Sequence, residues 1–214
     1  MPEPGDADDK KMTNRILVTL GTLLFLSPVA TARDQKTPPP EPPPKLELAA
    51  IRSYAKSIDQ FTMRNPRKRR IFGIVPREED KPDKWAEFKT VKQTIQANLE
   101  ESAYVWLKAG KVIAAHFGLT SPSGDWYHKV DYYFRADGTL AKIHAQLNTF
   151  YSADGGLIVV RDKFYSSSGK LLHTSTRFLD LESQKPGKRG EFMDEPITVY
   201  RNSRRLPFSR LLRS

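Results

Sequence analysis

Histidine and aspartate are the residues of this chain whose types and positions could support catalysis. Asp131 and His144 become cross-strand neighbours if the strands that hold them pair through the turn at Asp137-Gly138. A histidine oriented by a carboxylate is the smallest arrangement that acts as a general base, and a cluster of histidine and aspartate can also bind a metal ion. Ordinary polar residues on a sheet face, joined by one ion pair, would show the same spacing. All four histidines fall on predicted strands: His116, His128, His144 and His173.

Other catalytic signals are absent from the sequence. It contains no H-E-x-x-H, G-x-S-x-G or P-loop motif, and Ala109-Gly-Lys111 and Ser168-Gly-Lys170 lack the upstream glycine of a phosphate cradle. The chain has no cysteine, which excludes disulfides, thiolate nucleophiles and cysteine-ligated zinc. We therefore predict no catalytic residue, no cofactor and no metal ion. His144 and Asp131 are the candidates if the protein is a hydrolase-type enzyme.

Positive charge is the strongest signal in the composition, since the 214 residues carry a formal net charge of +10. Five positive charges fall within Arg64–Arg70, and every charged residue after Glu195 is an arginine. Such segments can bind anionic polymers or lipids, or they can simply form a soluble surface. The aromatic residues are not interleaved with these charges, as stacking on nucleic acid bases would require. We expect an anionic envelope polymer or lipid surface as the partner, and no nucleic acid, with the contacts made by Arg67, Lys68, Arg69, Arg70, Arg204 and Arg205.

A short pattern recurs four times between Tyr104 and Leu181. An aromatic residue is followed four positions later by glycine and six positions later by an aliphatic residue. Because glycine supplies the positive φ of tight turns, each copy predicts a β-hairpin. We expect the aromatic residues to fix the strand register and not to form one carbohydrate-binding row, since successive turns lie at opposite ends of a sheet. The copies begin at Trp106, Phe134, Tyr151 and Tyr165.

Alternation between these turns predicts six strands, near residues 103–108, 111–120, 125–135, 140–151, 157–165 and 170–181. The sheet then has one apolar and one polar face. Leu46–Met63 has helical periodicity and needs a partner for its apolar stripe. We therefore predict an α+β fold, an antiparallel β-meander of about six strands with an N-terminal amphipathic helix packed on its apolar face. That face is expected to contain Ile113, Ala115, Phe117, Leu119, Trp126, Val130, Tyr132, Phe134, Ala141, Ile143, Ala145 and Leu147.

Three stretches outside the meander have weaker patterns. Ile71–Val75 could form a short strand, and Ile197–Tyr200 could add an edge strand. Trp85–Leu99 combines helical spacing with β-branched residues that favour a strand, and we favour the helix.

The N-terminal region resembles an export signal. Arg15 precedes an apolar stretch from Ile16 to Leu26, and Ala30-Thr-Ala32 fits the small-x-small rule for cleavage. A membrane anchor is the alternative, although Pro28 shortens the apolar helix below the roughly 20 residues of a span. We predict Met12 as the start, cleavage after Ala32 and a periplasmic or extracellular protein with no transmembrane span. The expected organisation is an extension with a signal peptide (1–32), a proline-rich linker (33–45), one α+β domain (46–200) and a basic C-terminal tail (201–214).

Three functions are compatible with these observations. The first is a non-catalytic envelope or secreted binding protein with a basic surface. The second is a carrier that holds an apolar ligand between the sheet and the helix, in a cavity lined by Ile113, Phe117, Val130, Ile143 and Leu147. The third is an enzyme that uses Asp131 and His144.

Overall fold

The computed structural model describes residues 44–76, 84–150, 155–190, 192 and 194–213. The predicted signal peptide and the first eleven residues of the predicted linker lie outside these ranges. The helices are α1 (Pro44–Arg64) and α2 (Val91–Gln96), and the strands are β1 (Arg69–Val75), β2 (Lys84–Phe88), β3 (Glu101–Lys108), β4 (Lys111–Thr120), β5 (Trp126–Phe134), β6 (Leu140–Thr149), β7 (Leu157–Tyr165) and β8 (Leu171–Asp180).

These strands form one antiparallel sheet in the order β2-β1-β3-β4-β5-β6-β7-β8. The predicted α+β class is confirmed, but the sheet has eight strands and not six. The six predicted strands correspond to β3–β8. The short strand predicted over Ile71–Val75 is confirmed as β1, and β2 extends the sheet beyond it. The predicted helix over Trp85–Leu99 is wrong for its first part, which is β2.

A capping box explains why the chain changes from strand to helix after β2. The Thr90 hydroxyl accepts a hydrogen bond from the Gln93 backbone N–H, and the Gln93 side chain accepts one from the Thr90 N–H, both at 3.3 Å. This reciprocal pair satisfies N–H groups that the first helical turn leaves free. The T-x-x-Q spacing that produces it is visible in the sequence and was missed.

Three β-bulges alter the alternation that the sequence predicts. In β4, Trp106 is opposite Ala114 and Leu107 is opposite Val112, so Ile113 has no partner. Ala141 and Leu172 are left out of register in the same way. An extra residue in one strand reverses the side-chain parity beyond it. Ile113 and Ala141 therefore lie on the opposite face from Phe117 and Ile143, and the predicted apolar face is wrong at both positions.

Helix α1 packs on the face of the sheet that contains Ile113 and Ala141, which we call the helix face. Its buried residues Ile51, Ala55 and Ile58 contact two apolar clusters of this face. The Tyr54 hydroxyl donates a hydrogen bond of 2.5 Å to the Phe134 carbonyl, and the Tyr133 hydroxyl donates one of 2.8 Å to Asp59. The sheet residues in these clusters are Trp106, Ile113, Ala114, Tyr133, Ala141 and Phe164.

The C-terminal segment, residues 195–213, covers the opposite face, and we call this segment the strap. Leu206 and Phe208 are each only 1 % exposed, and the Phe208 ring stacks on Phe72 at 4.4 Å between centroids. Burial of each side chain contributes about 1.5–3 kcal/mol. The predicted packing of the helix on the apolar face of Phe117 and Ile143 is therefore wrong, because the strap occupies that face.

Backbone hydrogen bonds fix the strap to the hairpin between β5 and β6. The Leu140 N–H donates to the Arg201 carbonyl at 3.0 Å, and the Ser203 N–H donates to the Gly138 carbonyl at 2.9 Å. Ile197–Tyr200 is not a strand, so the predicted edge strand is wrong. Across the described ranges, no helix combines the length and the apolar character that a membrane-spanning helix requires.

Candidate functional site

A row of six side chains crosses the helix face at one level of strands β3–β8. Each is directly opposite the next in the register. Asp131 and His144 lie directly opposite each other at the centre of the row. This pairing confirms the register predicted from the Asp137-Gly138 turn. The row consists of Tyr104, His116, Asp131, His144, Asp162 and Ser175.

The hydrogen bonds of this row differ from the predicted arrangement. His144 Nδ1 lies 3.0 Å from Asp162 Oδ1, whereas Asp131 Oδ2 pairs with Lys129 Nζ at 2.9 Å. Lys142 Nζ is also 2.9 Å from Asp162 Oδ1. Burial opposes ionisation of Asp162, but the hydrogen bonds from His144 and Lys142 outweigh it and hold the pKa of this carboxyl well below its usual range. The two carboxylates thus belong to separate ion-pair clusters.

His116 is the unusual member of the row. Burial lowers the pKa of His116, and the Lys129 charge adds to this effect, although the Asp131 carboxylate opposes it. His116 Nδ1 lies 3.8 Å from Asp131 Oδ1, and neither that oxygen nor His116 Nε2 has a hydrogen-bond partner in the described part of the chain. Both atoms are also inaccessible to solvent. A ligand therefore could not reach them in this conformation.

The row contains a histidine held by a carboxylate, His144 with Asp162, but its order does not match a catalytic triad. The order along the row places Asp162 between His144 and Ser175, whereas a catalytic triad requires the histidine between the carboxylate and the hydroxyl. Among the described residues, no three histidine, aspartate or glutamate side chains form a group that could hold a metal ion. The arrangement can stabilise the sheet by charge pairing.

The predicted anion-binding residues have different surroundings in the structure. Arg67 and Lys68 are exposed in the short 3-10 helix Pro66–Lys68. The Arg69 guanidinium lies 4.6 Å from the centroid of the Tyr104 ring.

Arg70 has a structural role. Its Nε and Nη2 atoms bind both Glu87 oxygens at 2.7 and 2.6 Å, and the guanidinium also donates to the carbonyls of Leu211 and Leu212. The Arg70 hydrogen bond holds the pKa of Glu87 below its ordinary value. Arg70 thus ties β1, β2 and the end of the strap together.

The two basic segments that were predicted to bind anions, around residues 68 and 204, lie near the same end of the sheet. Because the strands are antiparallel, the β3–β4, β5–β6 and β7–β8 turns all lie at this end, and β1 starts there. The expectation that the repeated turns alternate between ends is thus wrong for these three. The cations that line pockets here define what we call the basic end: Arg64, Lys108, Lys111, Arg204 and Arg213.

Two pockets at the basic end share Lys111 and Ala136. One has a volume of about 440 Å³ and contains Lys111, Arg204 and Arg213 with a single carboxylate, Asp137. The second, of about 650 Å³, lies between α1 and the β3–β4 hairpin, and we call it the hairpin pocket. Lys108 and Lys111 were missed in the sequence because they are isolated cations in a turn, without a run of charge around them.

The β3–β4 turn violates two local preferences. Ala109 has φ of 50° and Gly110 has φ of 73°, so a residue with a Cβ occupies a position that usually favours asparagine or glycine. Lys108 and Lys111 are directly opposite each other in the ladder, and like charges in such a pair are destabilising. Departures from local rules of this kind are expected at functional or strained sites.

The five residues predicted to line the cavity of an apolar carrier do not share one face of the sheet. Phe117, Val130 and Ile143 lie beneath the strap in a cluster with Phe208, whereas Ile113 lies on the helix face. These residues cannot line one cavity, because the sheet separates them.

No model of a known protein family matches the chain, and no curated protein or solved structure matches it either. The candidate function therefore rests on the residues and their geometry.

Proposed function

We propose that this is a non-catalytic, exported binding protein whose basic end attaches to an anionic lipid surface of the cell envelope. The observation that carries the proposal is the opposed pair Lys108 and Lys111 in a turn that also contains Ala109 at positive φ. Two like charges held face to face are unfavourable in the free protein and become favourable when an anion lies against both.

Neighbouring cations support the assignment of the basic end as the binding surface. Lys111 lines one pocket with Arg204 and Arg213 and another with Arg64, so the fold brings together cations from α1, the β3–β4 hairpin and the strap. The exposed Arg67, Lys68 and Arg205 extend the positive charge. Arg69 and Arg70 contribute less than the sequence suggested, since Arg69 stacks on Tyr104 and Arg70 is saturated by internal partners.

The ion pairs of the six-residue row support a structural role for that part of the helix face. Asp131 is 3 % exposed and is paired with Lys129, and Asp162 is paired with His144 and Lys142. We therefore do not extend the proposal to an enzyme at Asp131 and His144.

Vesicle binding tests the proposal. The protein is recovered after export, its N-terminus is sequenced, and its cosedimentation with phosphatidylglycerol vesicles is compared with that on phosphatidylcholine vesicles. A triple variant that replaces Lys108, Lys111 and Arg204 by glutamine should bind the anionic vesicles roughly a hundredfold more weakly, at about 1 kcal/mol for each charge near the surface.

A charge-matched variant provides the control. Lys185, Lys188 and Arg189 are exposed in the loop after β8, away from the basic end. Their replacement by glutamine removes the same net charge and should leave binding within a few-fold of wild type. Equal losses for the two triple variants would show that only net charge matters and would refute a specific basic end.

A further inference from the structure

The hairpin pocket combines an apolar interior with a cationic rim. Ile58 and Ile113, each 5 % exposed, are its most buried lining residues, and Tyr54 and Phe61 add aromatic surface. The volume of about 650 Å³ falls within the range of small-molecule sites.

The charged groups of the hairpin pocket have one sign. Arg64, Lys108 and Lys111 line it, and none of its described lining residues is a carboxylate. Two of its other polar groups are already used internally, since the Tyr54 hydroxyl donates to the Phe134 carbonyl and the Asn65 carbonyl accepts from the Trp106 indole. The three cations are therefore the main polar groups available to a ligand.

We propose that the hairpin pocket binds a free single-chain amphiphile with an anionic head group. Its hydrocarbon chain lies against Ile58, Phe61 and Ile113, and its carboxylate or phosphate contacts Lys108, Lys111 and Arg64. The inference rests on the proposed function in one respect, since the cations of the basic end supply the head-group site. The inference goes beyond the proposed function because it assigns a ligand that leaves the bilayer and occupies an apolar pocket.

Chain length gives a quantitative expectation. Each methylene group moved from water into an apolar site raises affinity about fourfold. Dodecanoate should therefore bind about fifteenfold more tightly than decanoate. Dodecyl phosphate should bind as dodecanoate does or more tightly, and dodecanol should bind at least tenfold more weakly, because it lacks the anionic head.

Titration calorimetry with these four probes tests the inference, with the three anionic probes kept below their micellar concentrations and dodecanol below its solubility limit. Ser57 is an exposed residue of α1 that lines the hairpin pocket, whereas Ser53, one turn earlier, is exposed and does not line it. Ser57→Trp should fill the pocket and reduce dodecanoate affinity at least tenfold. Ser53→Trp adds the same side chain outside the pocket and should bind as wild type.

The methyl resonances of the wild-type protein provide a test that does not depend on a variant folding. Those of Ile58 and Ile113 should shift on addition of dodecanoate, and that of Ile143, which lies under the strap, should not. Unchanged Ile58 and Ile113 resonances, or equal affinity for dodecanol and dodecanoate, would overturn the inference. Failure of the proposed function is distinguishable, because Ser57→Trp keeps every cation and should still attach to phosphatidylglycerol vesicles.

Discussion

Replacement of Lys111 by glutamate should make the protein more stable and a weaker binder. Lys108 is directly opposite Lys111 in the ladder, so the change converts a repulsive cross-strand pair into an attractive one. Exposed pairs of this kind contribute roughly 0.5–1 kcal/mol, which corresponds to an increase of about 1–4 °C in Tm for a chain of this size. The surface charge of the basic end falls by two, so affinity for anionic vesicles should fall roughly thirtyfold at about 1 kcal/mol per charge.

Thermal unfolding and vesicle cosedimentation measure the two effects on the same samples. Lys185→Glu is the matched control, because Lys185 is exposed in the loop after β8 and lies in no strand. The control should change vesicle affinity much less than Lys111→Glu does. A lower Tm for Lys111→Glu would contradict the interpretation of the β3–β4 turn, and unchanged vesicle binding would contradict its function.

Three further predictions concern the turns, the buried histidine and export. Gly138 has φ of 86°, and a Cβ there would lie 3.0 Å from the Ser203 hydroxyl, so Gly138→Val should lower the free energy of unfolding by about 1–3 kcal/mol and Gly138→Asn by much less, as denaturant titration can show. Burial lowers the pKa of His116, so the unfolded chain binds a proton more readily below about pH 6.5 and stability falls as the pH decreases. In His116→Phe the stability measured at pH 7 and at pH 5 should differ less than in wild type, and an unchanged difference would exclude His116 as the cause. N-terminal sequencing of protein from its native host should find Arg33 as the first residue, and an intact segment 1–32 in a membrane fraction would support the anchor instead.

The meander was predictable because its turns and its alternation are both local signals. Gly110, Gly138 and Gly169 all have positive φ, and each lies in the turn of a predicted hairpin. The bulges at Ile113 and Ala141 were not predictable from alternation, since an extra residue in a strand leaves the sequence pattern almost unchanged. Their effect was large, because they move apolar residues to the face that α1 covers.

Local sequence patterns could not predict which segment of the chain covers each face of the sheet. Leu206 and Phe208 are apolar residues within an arginine-rich segment that the sequence predicted to be a basic tail. In the structure they complete the core on the face of the sheet that the strap covers. A helix and an irregular segment can cover a sheet equally well, so the sequence pattern did not show which of them covers Phe117 and Ile143.

The candidate site was predictable only in part. The register of Asp131 and His144 follows from one turn, but their ionic partners Lys129 and Asp162 depend on side-chain geometry and on the neighbouring strand. The basic end depends on tertiary structure, because Arg64 and Arg204 are far apart in the chain. The unusual features of the β3–β4 turn emerge only when the register places Lys108 opposite Lys111.

A single fluorescent label tests most directly whether the basic end faces the anionic surface. The chain has no cysteine, so Ala136→Cys creates a unique attachment point next to Lys111, where Ala136 is exposed and lines both pockets. Ser123→Cys places the same label in the exposed loop between β4 and β5, at the opposite end of the sheet. With an environment-sensitive dye, phosphatidylglycerol vesicles should shift the emission of the label at position 136 to shorter wavelength and leave that at position 123 unchanged. Equal shifts at the two positions, or a shift at position 123 alone, would contradict the proposed function.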